Sequence, residues 1–353
     1  MKVLVAMSGG VDSSVAAALM VREGHEVAGA TLKLWGGSSD SGCCSVTDVD
    51  DARRVAQVLG IDHFVFNYTE EFSRHVVEPF VADYRRGYSP NPCIECNRHV
   101  KFDLFIQRAR RLGFDRVVTG HHARVVETAR GRELFRGADP AKDQSYVLGY
   151  LGAKELDVLD LPVGEFTKDH VRELAEEWGL RTWNKPDSQD VCFIQASAGR
   201  EAFLRQYFEP TSAVMVDVDT NEVVGDVPAA ELVTVGQRKG VTPGRHGERR
   251  FVTRVDLSAR RVDIGPLEKT LVSGVSLLGS PRVNERITLS DGDAVLAQTS
   301  AHGEPRPGRL YVDEQGWRVE FERPERAVAV SQSVVLYDPQ EPERVVGAAQ
   351  VAP

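Results

Sequence analysis

The chain opens MKVLVAMSGGVDSSVAAALMVR, an apolar run over 2–7 that meets a Gly-Gly turn and passes into a helical pattern from Asp12 to Glu23. A strand handed directly to a helix through glycines constrains the fold more than any other stretch. It calls for an α/β unit whose next strand lies parallel to the first. The pattern then repeats. HEVAGATLKL reads as a strand, and TDVDDARRVAQVLG as a helix with Thr47 as its N-cap, Ala52, Val55, Ala56 and Leu59 as its apolar stripe, and Gly60 as its stop. HFVFNY and FDRVVTG read as further strands around a helix at about 100–112. The last such helix is FTKDHVRELAEEWGL, capped by Thr167, striped by Val171, Leu174, Ala175 and Trp178, and ended by Gly179. Ligands of such sheets sit at the carboxyl ends of the strands.

From about Glu201 the character changes to short alternating strands (AVMVDVD, FVTRVDL, RRVDIG) broken by Gly, Pro and Asn. Beyond about Leu271 come RITL, AVLAQT, WRVEFE and SVVLYD, which suit a small antiparallel barrel. The expected division is an α/β part over 1–200, a mostly-β central domain over 201–270 and a C-terminal β-barrel over 271–353. The apolar run MKVLVAM stops at Ser8, too short for a signal peptide, and no stretch reaches the apolar length of a membrane span, so the expected location is the cytoplasm. The formal net charge of −9 weighs mildly against nucleic acid. Charge distribution is a separate matter, because RARR (108–111), Arg85–Arg86 and RHGERR (245–250) each supply a local basic cluster.

The strongest chemical signal is AMSGGVDSSV, residues 6–15. Gly9 and Gly10 let backbone approach an anion, Ser8, Ser13 and Ser14 add hydroxyls, and the helix that follows points its first N–H groups at the same place. The Lys-Ser/Thr ending of a Walker A loop is absent. A tight strand-to-helix turn would explain a bare Gly-Gly, but not Ser-Gly-Gly-x-Asp-Ser. That string resembles the signature of the PP-loop ATP pyrophosphatases (adenine nucleotide alpha hydrolase-like). The resemblance implies ATP cleaved to AMP and pyrophosphate, with a carbonyl oxygen adenylated and AMP then displaced by a nitrogen or sulfur nucleophile.

Five cysteines, Cys43, Cys44, Cys93, Cys96 and Cys192, make no disulfide framework in a chain of 353 residues. The Cys-x-x-Cys of SPNPCIECNRHVKF (89–102) suits half a zinc site, a redox dithiol, a structural disulfide or one reactive thiol with a neighbour. A zinc site would need two more ligands, and adjacent Cys43 and Cys44 make joint tetrahedral ligation awkward. Cys192, in KPDSQDVCFI, would on its own read as a small buried hydrophobe.

Taken in order, SGGVDSS, PNP-x-x-x-CN-x-x-x-KF, TGHHAR (119–124), KDQSY (142–146) and KPDSQD-x-CF closely resemble the bacterial tRNA-specific 2-thiouridylase family. The resemblance continues through TVGQRKG (234–240) and SQSVVLYD (331–338), essentially the whole chain. It implies that Cys96 is the nucleophile and that Cys192 carries a persulfide, with no metal held by the protein's own side chains. ATP with Mg²⁺ would be held by Ala6, Met7, Ser8, Gly9, Gly10, Val11, Asp12, Ser13, Leu32 and Gly120. Asn91, Pro92 and Cys93 would line an extruded target base, while His121, Lys142, Asp143, Gln144 and Gln332 would touch tRNA. The implied partners are tRNAs with a wobble uridine, for Lys, Glu and Gln, and a persulfide donor such as a cysteine desulfurase or a relay protein, the enzyme itself being a monomer.

Three departures from the family pattern stand out. Some relatives carry Asp where Cys93 stands, Tyr is common where His122 stands, and AQTSAHGEP (297–305) offers Ser300, Ala301 and His302 in place of an Arg-Tyr. The competing expectations are a PP-loop amidating ligase, in which neither cysteine matters, and a non-catalytic RNA- or zinc-binding module.

Overall fold

The computed structural model describes residues 1–36, 46–187, 191–195, 197–244, 247–282 and 284–353. Cys43, Cys44, the Ser188–Gln189–Asp190 part of KPDSQD, and Arg245 and His246 of the third basic cluster lie outside the described residues.

Five parallel strands form the first sheet. They are β1 (Lys2–Ala6), β2 (Glu26–Lys33), β3 (Asp62–Asn67), β4 (Arg116–Val118) and, after an antiparallel hairpin of β5 (Ala123–Thr128) and β6 (Gly131–Arg136), β7 (Leu159–Asp160). The order is β3-β2-β1-β4-β7. Strand period explains how this sheet is covered on both faces. Val3 and Val5 of β1 enter a core with Val15 and Ala16 of helix α1 (Val11–Arg22), with Ala52 and Val55 of helix α2 (Val46–Leu59), and with Val171 and Ala175 of helix Lys168–Glu177. Leu4 points the other way, into a larger core with Phe72, Phe80, Phe102 and Phe105.

Two helix boundaries differ from the sequence expectation. Helix α2 begins at Val46, so Thr47 lies inside its first turn and is not its cap. The helix expected at about 100–112 starts at Pro92. Asn91 caps it by accepting from the Cys93 N–H at 3.1 Å, and Pro92 occupies the position where a missing N–H costs nothing. Its middle, Cys96–Leu104, is π-helical, a widened geometry that recurs at functional sites.

The central sheet holds β8 (Ala213–Asp217), β9 (Glu222–Val227), β10 (Phe251–Asp256) and β11 (Arg261–Gly265) in the order β10-β11-β8-β9, with β11 and β8 parallel. The last sheet is antiparallel throughout. It comprises β12 (Leu271–Ser276), β13 (Ala294–Gln298), β14 (Arg306–Asp313), β15 (Gly316–Arg326), β16 (Ser333–Tyr337) and β17 (Val345–Gln350), in the order β12-β15-β14-β13-β16-β17. Its two ends meet. Leu277 bridges Val351, the Leu278 N–H donates to the Gln350 carbonyl at 2.8 Å and the Ala352 N–H to Ser276 at 2.9 Å, so neither edge is left open. RITL is not one of its strands. A turn in which the Ile287 N–H donates to the Asn284 carbonyl occupies that stretch, and Ile287 and Leu289 pack on the barrel without joining a ladder.

Strand β16 feeds two cores. Val334 and Leu336 face the barrel interior, whereas Val335 and Tyr337 join the large core beneath the parallel sheet. Hydroxyls satisfy this junction. Tyr146 donates to the Ser333 carbonyl at 2.8 Å, and Ser145 and Tyr337 share a bond of 3.0 Å. Nearby, Ser89 is held from two sides. Its N–H donates to the Val330 carbonyl at 3.0 Å, its hydroxyl pairs with Thr234 of the central part at 3.0 Å, and its carbonyl accepts from the Gln332 amide.

Candidate active site

Strand order reverses between β1 and β4, and at such a switch point the two following loops splay apart to leave a crevice. The loops there are Ser8–Gly10 and Thr119–His122. Gly9 has φ +75°, and a Cβ on it would overlap the Asp48 carbonyl oxygen. No side chain caps α1, so its first N–H groups face the crevice, and Gly10 lies extended before them. Ser13 braces the loop by accepting from the Ser8 N–H at 3.1 Å. Gly120 is packed against the same turn. A Cβ there would stand 2.5 Å from the Ser13 nitrogen and 2.6 Å from the Asp12 carbonyl carbon. Gly120→Ala therefore must push the two loops apart, an overpacking cost of about 1–3 kcal/mol. If the crevice holds ATP, as the resemblance implies, the Kd of Gly120→Ala for ATP, read by calorimetry, is expected to weaken by about tenfold or more, since about 1.4 kcal/mol corresponds to tenfold; an unchanged Kd would mean that Gly120 does not shape such a site.

Asp12 is the charged centre of the loop. Its Oδ1 lies 2.9 Å from His122 Nε2, and both its oxygens accept from Lys168 Nζ at 2.7 Å. Burial pushes the Asp12 carboxyl up, but His122 and Lys168 outweigh it and hold the group below the usual carboxylate range. Lys168, whose side chain is only 8 % exposed, also pairs with Asp187 at 2.9 Å. Asp187 in turn gathers Lys142 at 2.8 Å and Arg172 at 2.9 Å. Burial raises the Asp187 carboxyl, and the bonds from Lys142 and Lys168 more than offset it, drawing the pKa down to about 2. Two residues earlier, Lys185 donates to the Gly9 carbonyl at 2.9 Å, to Asp48 at 2.7 Å and to Asp51 at 2.8 Å. Sequence reading missed Lys168, Lys185 and Asp187. The last two stand inside the quoted KPDSQD string, but their partners lie far away along the chain.

The other expected residues divide by what their side chains touch. Ala6 ends β1, Met7 follows it buried with its N–H on the Ala30 carbonyl, and Val11 begins α1 inside the core. Leu32 is buried near the carboxyl end of β2. His121 Nδ1 shares a bond of 2.7 Å with the Thr119 hydroxyl, and its ring lies 5.6 Å from that of Phe102 on the Cys96 helix. Burial, then Lys101 and His122, hold the His121 imidazole well below its ordinary pKa. Asp143 faces inward. Its carboxylate accepts from Arg136 at 3.1 Å, from the Gly137 and Ser145 N–H groups at 3.0 Å each and from the Ser145 hydroxyl at 2.8 Å. Gln144 accepts from the His122 N–H at 2.8 Å, Lys142 is engaged with Asp187, and Gln332 with Ser89.

The three described cysteines differ in exposure. Cys93 is exposed, Cys96 is buried at 6 % and Cys192 is intermediate. Cys96 belongs to the large core, and Cys192 packs against that same core beside Phe193. A cavity of about 290 Å³ is lined by Pro90 and Pro92 from the segment before Cys96, by Val191 and Ile194 around Cys192, and by Phe80 and Tyr84. Two segments nearly a hundred residues apart thus face one space. No group of three or more His, Cys, Asp and Glu side chains able to hold a metal ion occurs among the described residues.

Two family models match the chain. One, described as a tRNA methyl transferase HUP domain, covers residues 1–196, and the other, a tRNA methyl transferase PRC-barrel domain, covers residues 201–266. Among full-length relatives, the tRNA-specific 2-thiouridylase of Chloroflexus aggregans is 43 % identical over 345 residues, 95 % of each chain. That of Salinispora tropica is 40 % identical over 365 residues, 99 % of each. The model descriptions name methyl transfer and the relatives' names thiolation. Relatives that align along almost the entire chain carry more weight than a domain's description.

Proposed function

The chain belongs to the tRNA-specific 2-thiouridylase family, and from that premise we propose that Cys96 and Cys192 are the pair through which it moves sulfur. The enzyme is an ATP-dependent tRNA uridine 2-sulfurtransferase. It adenylates O2 of the target uridine, releases pyrophosphate, and replaces the activated oxygen with sulfur. The observation that supports the cysteine assignment is the shared cavity, with the Cys96 and Cys192 segments on its walls.

In this reading a persulfide on Cys192 attacks C2 through its outer sulfur and displaces AMP. The Cys96 thiolate then attacks the inner sulfur. The sulfur–sulfur bond breaks, the thiocarbonyl of 2-thiouridine leaves, and a Cys96–Cys192 disulfide remains for an external thiol to reduce. Gly9, Gly10, Ser13 and the start of α1 hold the triphosphate, with Ala6, Met7, Ser8, Val11, Leu32 and Gly120 completing the nucleotide contacts. Mg²⁺ carried in with ATP would be held by phosphate oxygens and the Asp12 carboxylate, once that carboxylate shares itself with the ion rather than with Lys168 alone, and would neutralise phosphate charge. Asn91, Pro92 and Cys93 line the extruded base, since C2 of a stacked uridine is out of reach. His121, Lys142, Asp143, Gln144 and Gln332 form the stretch that meets the RNA, with the Asp143 carboxylate also ordering its loop from within. The division at about 200 and 270, the wobble uridines of tRNAs for Lys, Glu and Gln, a cysteine desulfurase or relay protein as sulfur donor, a monomer and a cytoplasmic location complete the proposal.

The test is nucleoside mass spectrometry of tRNA after incubation with ATP, Mg²⁺ and a persulfide donor. We expect 2-thiouridine together with AMP; ADP as the main product would sink the reading. A salt series adds a second check. With a net charge of −9, binding must rest on local clusters such as Arg108–Arg111, so tRNA affinity is expected to fall steeply as salt rises. A flat series would mean that these arginines do not touch phosphate.

A further inference from the structure

We propose that the Glu95 carboxylate accepts the N3–H of the extruded uridine and takes the proton that adenylation of O2 displaces. This rests on the reading of Asn91 and Pro92 as walls of the base site, and it adds to them a catalytic residue from outside that set.

A second space, of about 250 Å³, opens where the barrel meets the helix that bears Cys96, with room for one nucleobase. Asn91, Pro92 and Glu95 wall it from the helix, and Ser331, Ser333 and Gln350 from the barrel. Ser331 stands there at φ +66°, a left-handed backbone that a residue other than glycine keeps only where its surroundings fix it. On the helix, Pro92, Glu95 and Cys96 fall at i, i+3 and i+4, so the carboxylate shares a face with the proposed nucleophile. The Glu95 side chain is 18 % exposed, and its carboxylate meets the His99 imidazole at 3.2 Å. Asp83, the other carboxylate on the cavity wall, faces the permanently charged guanidinium of Arg86 at 3.4 Å. Glu95 is therefore the carboxylate with acceptor capacity left for a ligand.

The pairing edge of uracil offers one donor, N3–H, between the O2 and O4 carbonyls. Asn91 uses its Oδ1 on the helix cap, which leaves its amide N–H groups to donate. Glu95, four residues on, is an acceptor. Together they match O4 and N3–H and leave O2 open to the α-phosphorus of ATP. As O2 bonds to that phosphorus, pyrophosphate leaves with the electron pair of the broken P–O bond. The N3–H pair moves into a C2–N3 double bond, and the proton passes to Glu95. The persulfide sulfur then adds at C2, AMP leaves, and the double bond is restored. When the Cys96 thiolate breaks the sulfur–sulfur bond, the electron pair stays on the outer sulfur. The thiocarbonyl forms, and N3 takes its proton back from Glu95.

The test compares Glu95→Gln with His99→Asn in the full-length protein. The readout is tRNA-dependent release of pyrophosphate under saturating ATP and Mg²⁺, without a sulfur donor, so that adenylation alone is followed. Glu95→Gln is nearly isosteric and still offers N3–H an oxygen, but it cannot keep the proton. Its rate at saturating tRNA is expected to fall by about a hundredfold or more, with KM for tRNA within about twofold of wild type and Tm unchanged. His99→Asn breaks the pair with Glu95 and leaves the carboxylate in place, so its rate should stay within about threefold of wild type. A Glu95→Gln rate less than about tenfold below wild type overturns the proposal. So does a Glu95→Gln protein that also loses tRNA affinity or thermal stability, for Glu95 would then be a structural prop. Equal damage from His99→Asn overturns it as well, because the effect would then belong to the pair and not to the carboxylate. A wild type that releases no pyrophosphate with tRNA strikes instead at the proposed function, and the role of Glu95 falls with it.

Discussion

Cys96→Ser and Cys192→Ser are each expected to lower tRNA thiolation by a factor of at least about 10³, whereas Cys93→Ser keeps a measurable part of the wild-type rate. The asymmetry follows from roles and from placement. In the proposed chemistry Cys192 presents a persulfide and Cys96 resolves it, and residues from both segments wall one cavity. Cys93 is exposed on the first turn of its helix, held in place by the Asn91 cap, and has no sulfur step to perform. Two rivals predict a different pattern. A zinc site or a Cys93–Cys96 redox dithiol would make loss of either thiol equally damaging. The three variants are compared in thiolation assays with metal content measured in parallel, and the enzyme is trapped after turnover for disulfide mapping. A Cys96–Cys192 disulfide requires their α-carbons to approach to about 6 Å. Finding a Cys93–Cys96 disulfide as the sole turnover product would remove Cys192 from the mechanism.

Asp12→Ala should cut tRNA-dependent AMP formation by about a hundredfold or more while leaving tRNA affinity within about twofold of wild type. Asp12 is held by His122 and Lys168 at the first turn of α1, where the proposed function puts the phosphates, and its removal leaves the Lys168 ammonium facing Asp187. Such unbalanced charge misplaces the very groups that meet pyrophosphate. Filter binding of tRNA and release of AMP, measured on one preparation, separate the two effects. Parallel loss of both would mean that Asp12 supports the fold at large, which a thermal melt would show as a lowered Tm.

The parallel unit was legible because its physics is local. β1 alternates between two cores, α1 and α2 carry stripes at helical spacing, and a glycine turn joins strand to helix. The turn over Ser8–Gly10 was legible for the same reason, since all its parts lie within ten residues. RITL misled because Ile287 and Leu289 alternate like a strand, yet they satisfy that pattern by packing on a barrel already closed by other strands. Strand β7, two residues long, is too short for any period. Lys168 was invisible for a different reason. An ion pair spanning 156 positions leaves no trace in spacing, and a lysine after a Thr cap reads as an ordinary solvated first-turn residue. Asp143 is similar. The KDQSY string gives no sign that Arg136 and the Ser145 hydroxyl turn that carboxylate inward.

Ser89 is gripped by Thr234, Val330 and Gln332, and three residues later begins the helix that bears Cys96. During synthesis the chain emerges from its amino end, at about 5–20 residues per second, and domains fold in that order. The Ser8–Gly10 loop is made early, but the clasp on Ser89 gains Thr234 only with the central part and is completed only when Val330 and Gln332, just before the last two strands, have left the ribosome. An unfinished chain can therefore build the crevice between the Ser8–Gly10 and Thr119–His122 loops without yet fixing the loop that leads to Cys96. The loop that leads to Cys96 is thus among the last parts of the molecule to be fixed.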